Sequence, residues 1–161
     1  MANFQTAFLF LYDHEGGYAN NPSDLGGETK YGISKKQYPK EDIKNLTLDR
    51  AKFLYERDYW NPLQASKLNY QPLANHLFDM CVNAGQGDAV TLLQLACVSC
   101  GENIKIDGII GPKTLGAANI IEGAWLADRY RVERVKHYLR RITINSSQLV
   151  NIKSWLRRAT A

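Results

Sequence analysis

The sequence predicts an all-α fold of about seven helices with at most a small β-hairpin. Three observations carry this expectation. Apolar residues recur at helical spacing through most of the chain, glycines and prolines fall at the ends of those stretches, and strand-like alternation is scarce. With 161 residues, 45% of them hydrophobic and 22% charged, the chain has enough apolar material for one core.

The first helix is expected from Ala2 to about His14, where Phe4, Ala7, Phe8, Leu11 and Tyr12 fall at i, i+3, i+4 and i+7 and Gly16-Gly17 follow as a stop. A polar stretch rich in Asn, Gly, Pro and Ser then runs to about residue 46, and a loop of that length in a compact domain is functional or holds short strands. Thr47 reads as the N-cap of a helix through "LDRAKFLYERDYW". Pro72 opens the next, with Ala74, Leu77, Phe78, Cys81 and Val82 on its stripe and Gly85 at its end. Asp88 starts another, whose face is Ala89, Leu92, Leu93, Ala96 and Cys97 and which closes at Gly101. "GENIKIDGIIGPKT" reads as an Asp-Gly turn between short apolar pieces, with Gly111-Pro112 opening a helix. The remainder reads as two helices. One spans "GAWLADRYRVERVKHYLRRI" with Val132, Val135, Leu139 and Ile142 inward; the other starts at Ser146 or Ser147 with Leu149, Ile152, Leu156 and Ala159 inward.

Composition excludes several classes. No apolar run reaches the ~18 residues that span a bilayer, so no integral membrane segment is expected. The opening "MANFQTAFLFLYDHEGG" lacks a basic start and a small-residue cleavage site, which predicts synthesis in the cytoplasm without a conventional export signal. Cys81, Cys97 and Cys100 each fall on an apolar stripe and are expected as buried thiols; "CVSC" has no second Cys/His pair at zinc spacing, and His14, His76 and His137 share no metal-like spacing. Neither a metal nor a cofactor is expected. The formal charge of +4 suits an anionic partner. The basic residues of the last third, from Arg129 to Arg158, are too dispersed for specific nucleic-acid readout, so no nucleic-acid partner is expected.

The chemistry concentrates in "HEGGYANNPSDLGGETKYGIS", residues 14 to 34. Glu15 lies three, four and seven residues beyond Tyr12, Leu11 and Phe8, so it extends the apolar face of the first helix. Desolvation there disfavours the carboxylate and raises its pKa, which is what a general acid near neutral pH requires. Asp24, among Asn, Ser and Gly, is expected to stay ionised. Two carboxyls in unlike surroundings divide acid and base roles, the arrangement by which glycosidic bonds are cleaved. Gly16-Gly17 and Gly26-Gly27 let a bulky ligand approach the backbone, and Thr29 is placed to orient water or hold Asp24. Each feature alone is also what a solvated helix end or an ordinary turn would use.

The same residues resemble the motif pair of the glycoside hydrolase family 108 muramidases, found in phage endolysins and in bacterial proteins once called secretion activators. "EGGY" is followed by "DLGGETKYGIS", and the likeness continues through "YERDYW", "LFDMCVNAG" and "LLQLA". "DGIIGPKTL", residues 107 to 115, is similar to the start of the predicted peptidoglycan-binding region of that family. The resemblance implies a lysozyme-like fold, with a catalytic region at 1–85 and a wall-binding-like helical region at 86–161 packed on the same core. It also implies hydrolysis of the β-1,4 bond between N-acetylmuramic acid and N-acetylglucosamine, with Glu15 as the acid. The spacing of Glu15 and Asp24 further resembles that of phage-type lysozymes, but this sequence has four residues between Asp24 and Thr29 where that arrangement has five. The outcome follows from the carboxyl separation, about 5–5.5 Å for retention and about 6.5–9.5 Å for inversion.

Substrate contacts are expected from Tyr18 and Tyr31, whose rings suit sugar faces, from Gly27, and from Asn83, whose amide suits an N-acetyl group or a structural partner. Tyr59 and Trp60 read first as core. Gln94, an amide on an apolar face, needs hydrogen-bond partners, and Asp107, Gly108, Gly111 and Pro112 read first as structural. The expected partner is the peptidoglycan glycan strand, met by a monomer in the periplasm or cell wall after passage through a holin or a secretion system. The rival reading is a non-catalytic peptidoglycan-binding or secretion-accessory protein.

Overall fold

The computed structural model describes residues 1–12 and 28–161. Among them are seven α-helices and one two-stranded antiparallel sheet: α1 Phe4–Tyr12, β1 Thr29–Lys30, β2 Ile33–Ser34, α2 Leu48–Tyr55, α3 Gln71–Ala84, α4 Gln86–Ser99, α5 Pro112–Ile120, α6 Gly123–Ile144 and α7 Ile152–Thr160. This is the all-α, lysozyme-like architecture expected from the sequence. The expected stripe of α1 is the observed one, since Phe4, Ala7, Phe8 and Leu11 are buried while Tyr12 lies at the rim.

α3 is the central helix. It buries Leu73, Ala74, His76, Leu77, Phe78, Asp79, Met80 and Cys81, residues from all sides of the helix, because α1, α4 and α6 pack around it. Phe4, Phe8, Tyr55, Trp60 and Phe78 pack edge-on or tilted, with successive ring centroids about 6 Å apart. Trp60 is thus core, as expected, and its indole N–H donates to Ser66 Oγ at 2.8 Å.

Thr47 caps α2 by accepting from the Arg50 amide at 3.2 Å. The helix does not run on unchanged to Trp60: residues Glu56–Trp60 form a π-helical turn, closed by the Asn61 amide on the Glu56 carbonyl at 2.9 Å. α4 buries its whole expected face, and Gln94 finds a complete set of partners. Its carbonyl accepts from the amides of Asp107 and Gly108 at 3.0 and 2.9 Å, and its NH2 lies within 3.2 Å of Asp107 Oδ1, the Ile109 carbonyl and Thr114 Oγ1. Gly108 turns there at φ +70°, with Gly87 and Thr91 of α4 packed where a Cβ would sit. The Asp-Gly turn is therefore a clamped structural element.

The inward faces of the last two helices differ from the sequence reading. In α6 the buried residues are Leu126, Ala127, Tyr130, Glu133, Arg134 and Tyr138, while Val132 and Leu139 face solvent and Val135 and Ile142 flank the contact. In α7 they are Trp155, Arg158 and Ala159, with Leu149 and Leu156 exposed and Ile152 half-buried. The reason is a buried ion cluster that apolar periodicity cannot register. Asp79 of α3 pairs with Arg134 through one carboxylate oxygen and accepts from Arg158 Nε at 3.1 Å through the other, and Arg134 Nη1 lies 3.0 Å from His76 Nδ1. Burial is the largest single influence on Arg134 and opposes its charge, but Asp79 together with Tyr138 and Tyr130 more than offsets it, so the guanidinium stays protonated. Cys81 and Cys97 are buried, their thiols pushed up to about 12 by desolvation, whereas Cys100 is half-buried rather than buried.

Candidate active site

Of the residues expected in the site, Glu15, Tyr18, Asp24 and Gly27 lie outside the described residues. Thr29, Tyr31 and Asn83 lie within them. The described flanks on either side of residues 13–27 are in contact. Tyr12, the last residue of α1, has its ring 6.3 Å from that of Tyr31, in the turn that joins β1 and β2. The hairpin pairs Thr29 with Ser34 and Lys30 with Ile33, and its two central residues, Tyr31 and Gly32, both adopt positive φ, +53° and +75°. That backbone suits the right-handed twist of a two-residue hairpin, and glycine adopts it freely while tyrosine does so at a cost.

The core holds that turn in place. Tyr55 of α2, 2% exposed, donates its hydroxyl to the Tyr31 carbonyl at 3.1 Å, and its ring packs on Phe8, Tyr59 and Phe78. The π-helical turn sets Tyr59 beside Tyr55, half-buried rather than wholly core, with its oxygen accepting from the Gln37 side-chain NH2. Tyr38 donates to Asp58 Oδ2 at 2.9 Å, and Asp58 also takes a bidentate contact from Arg57 at 2.6 and 2.7 Å. Next to this group is a cleft of about 540 Å³ lined by Gln37, Tyr38, Lys40, Glu41, Arg50 and Arg57.

Sequence reasoning missed Gln37, Tyr38 and Asp58. Gln37 and Tyr38 sit in the aperiodic polar stretch and Asp58 in a helical one, so no local spacing links them. None of the ionisable groups here suits general-acid work near neutral pH. The hydrogen bond from Arg57 holds Asp58 below the usual carboxylate range, burial being outweighed, and Arg50 does the same for Glu41. The Tyr38 hydroxyl is pushed well up, chiefly by burial. What the cluster offers is flat aromatic surface with hydroxyl and amide edges, a surface suited to sugar rings.

Asn83 stands in the last turn of α3, where its carbonyl oxygen accepts from the buried Tyr138 hydroxyl at 3.1 Å. Its place is therefore the α3–α6 contact, and only its NH2 remains to be offered elsewhere.

Comparison with known proteins matches two stretches of the chain. Residues 8–85 match the family model described as glycosyl hydrolase 108, and residues 88–160 match the predicted peptidoglycan domain. Residues 8–85 form a glycosyl hydrolase 108 region. The first match runs from the middle of α1 through the hairpin and α2 to the end of α3; the second runs from the first turn of α4 to the end of α7. A solved structure of Brucella abortus SagA is similar in fold, with a TM-score of 0.71 and 24% sequence identity over 97% of this chain and 92% of that one. No curated protein matches the chain. Among the described residues no helix is long and apolar enough to cross a membrane.

Proposed function

We propose that this protein is a glycosyl hydrolase 108 N-acetylmuramidase that cleaves the β-1,4 bond between N-acetylmuramic acid and N-acetylglucosamine in peptidoglycan. The observation that carries the reading is the match of residues 8–85, which contain both Glu15 and Asp24, to a glycosidase family. The match of residues 88–160 to a peptidoglycan domain supports the wall as substrate. In this reading Glu15, protonated in its resting state, donates to the glycosidic oxygen as the bond breaks. Asp24, with Thr29, stabilises the sugar cation or positions the attacking water. Tyr18 and Tyr31 stack on sugar faces, Gly27 admits the strand close to the backbone, and the NH2 of Asn83 meets an N-acetyl carbonyl.

Five described carboxyls are unsuited to the acid's role. Each described carboxyl with a displaced pKa is displaced downward: Glu41, Asp42, Asp58, Asp107 and Glu122, through hydrogen bonds from Arg50, Asn45, Arg57, Gln94 and the Trp125 amide. Such carboxylates do not hold a proton near neutral pH. The enzyme acts as a monomer in the periplasm or cell wall, and a holin or a secretion system delivers it.

The test is release of muropeptides and new reducing ends from purified peptidoglycan, wild type beside Glu15→Gln, with products identified by mass spectrometry after borohydride reduction. Muramic-acid reducing ends from the wild type alone are expected. Full activity of Glu15→Gln would remove the acid from its role. Sedimentation of both proteins with the wall and no release from either would establish the non-catalytic binding protein instead.

A further inference from the structure

α6 and α7 form an antiparallel hairpin whose rungs can be read from side-chain contacts. Arg131 reaches the carbonyls of Ala159, Thr160 and Ala161 at 3.3, 2.6 and 3.0 Å. Further along, Tyr138 stacks on Trp155 at 4.9 Å between centroids, and the Arg141 guanidinium lies over the same indole at 5.2 Å. The hairpin tip is therefore the segment that follows, the last residue of α6 and the 3-10 turn Ser146–Asn151.

Among the polar Asn145, Ser146, Ser147, Gln148 and Asn151, that tip holds three apolar side chains out in solvent. Ile144 is 87% exposed, Val150 85% and Leu149 56%; among the described large hydrophobic residues only Met1 is more exposed than Ile144. Behind the tip stand Arg140 and Arg141 on α6 and Lys153 and Arg157 on α7, and residues 135 to 161 contain no Asp or Glu at all.

We propose that this tip docks on an anionic phospholipid surface. Aliphatic side chains that protrude beyond a ring of cations match the two layers of a membrane interface. The apolar groups enter the acyl boundary while Arg and Lys stay at the phosphates. A second copy of the chain is the poorer occupant, because tip-to-tip contact would set the four cations of each copy against those of the other. A nucleic acid would use the cations and leave Ile144 and Val150 in water. The contact is peripheral, as no described helix can span a bilayer, and it does not depend on the hydrolytic reading, since vesicles contain no glycan.

The experiment is co-sedimentation of the full chain with vesicles of phosphatidylglycerol and phosphatidylethanolamine, beside vesicles of phosphatidylcholine alone, at low and high salt. Binding to the anionic vesicles is expected, weaker by about tenfold or more on neutral vesicles and in high salt. The Ile144→Ser/Val150→Ser and Arg140→Gln/Arg157→Gln variants change exposed positions, so each should keep the wild-type melting temperature and lose about tenfold or more in vesicle affinity. Equal affinity for neutral and anionic vesicles, no binding to either, or unchanged binding by the tip variant would overturn the proposal. So would light scattering that shows a dimer lost in the tip variant, which would make the partner a second copy.

Discussion

The hydroxyl of Tyr55 reaches the Tyr31 carbonyl at 3.1 Å, and through this bond the aromatic core fixes the backbone of the hairpin that carries Thr29. Tyr55 is itself held by Phe8 of α1 and Phe78 of α3, so three helices converge on one carbonyl group. The hairpin is too short to be stable by its own ladder.

Tyr55→Phe removes that bond and keeps the ring. The expected cost is about 0.5–1.5 kcal/mol, a fall in Tm of roughly 1–6 °C by thermal denaturation. Glycan-strand cleavage should fall more steeply than stability does, because the carbonyl lies in the turn of the hairpin that carries Thr29 and Tyr31. A variant with lowered Tm and undiminished turnover would show that the hairpin's position does not matter to catalysis.

Tyr31 serves two separable ends, a turn and a ring. Its φ of +53° is one that asparagine adopts more readily, so Tyr31→Asn should leave Tm unchanged or raise it. If the ring stacks on sugar, the same variant should lose activity chiefly through a raised KM for soluble glycan oligomers. Unchanged kinetics with unchanged Tm would reduce Tyr31 to a turn residue.

The helices were legible in the sequence where burial and hydrophobicity coincide. The α1 stripe follows its spacing, and the α4 face of Ala89, Leu92, Leu93, Ala96 and Cys97 is the buried face. They were illegible where the core is charged. Arg134 occupies the middle of the buried face of α6 between Tyr130 and Tyr138, and a pattern built on apolar residues passes over it to Val132 and Leu139. The position of the hairpin was hidden for a different reason, since a tyrosine at positive φ carries none of the Asn-Gly signature of such turns. At the candidate site, motif residues Thr29 and Tyr31 could be picked out, but the pairing of Tyr38 with Asp58 joins positions twenty residues apart and exists only once α2 is packed.

Asp79 fastens the C-terminal hairpin to the central helix, with Arg134 of α6 and Arg158 of α7 on its two oxygens. Asp79→Asn leaves two guanidinium groups together in the interior without their counter-charge. Breaking a buried pair in this way costs about 3–5 kcal/mol, and the expected fall in Tm is roughly 6–20 °C. In a double-mutant cycle with Arg134→Met the two losses should be far from additive. Additive losses would mean that the two side chains stabilise the protein independently.

Gln94 organises the segment from Asp107 to Thr114 with a single side chain. Gln94→Leu keeps the volume on the buried face of α4 but leaves the Asp107 and Gly108 amides without their acceptor and Thr114 Oγ1 without its donor. Unsatisfied groups of this kind cost about 1–3 kcal/mol each, and the turn can recover part of this by opening to water. The expected signature is therefore local. Amide exchange at Asp107 and Gly108 should accelerate by orders of magnitude while the α3 amides, deep in the core, exchange at rates governed by global unfolding. Protection at Asp107 and Gly108 that stays at the wild-type level would show that the turn is held by its own backbone geometry and not by Gln94.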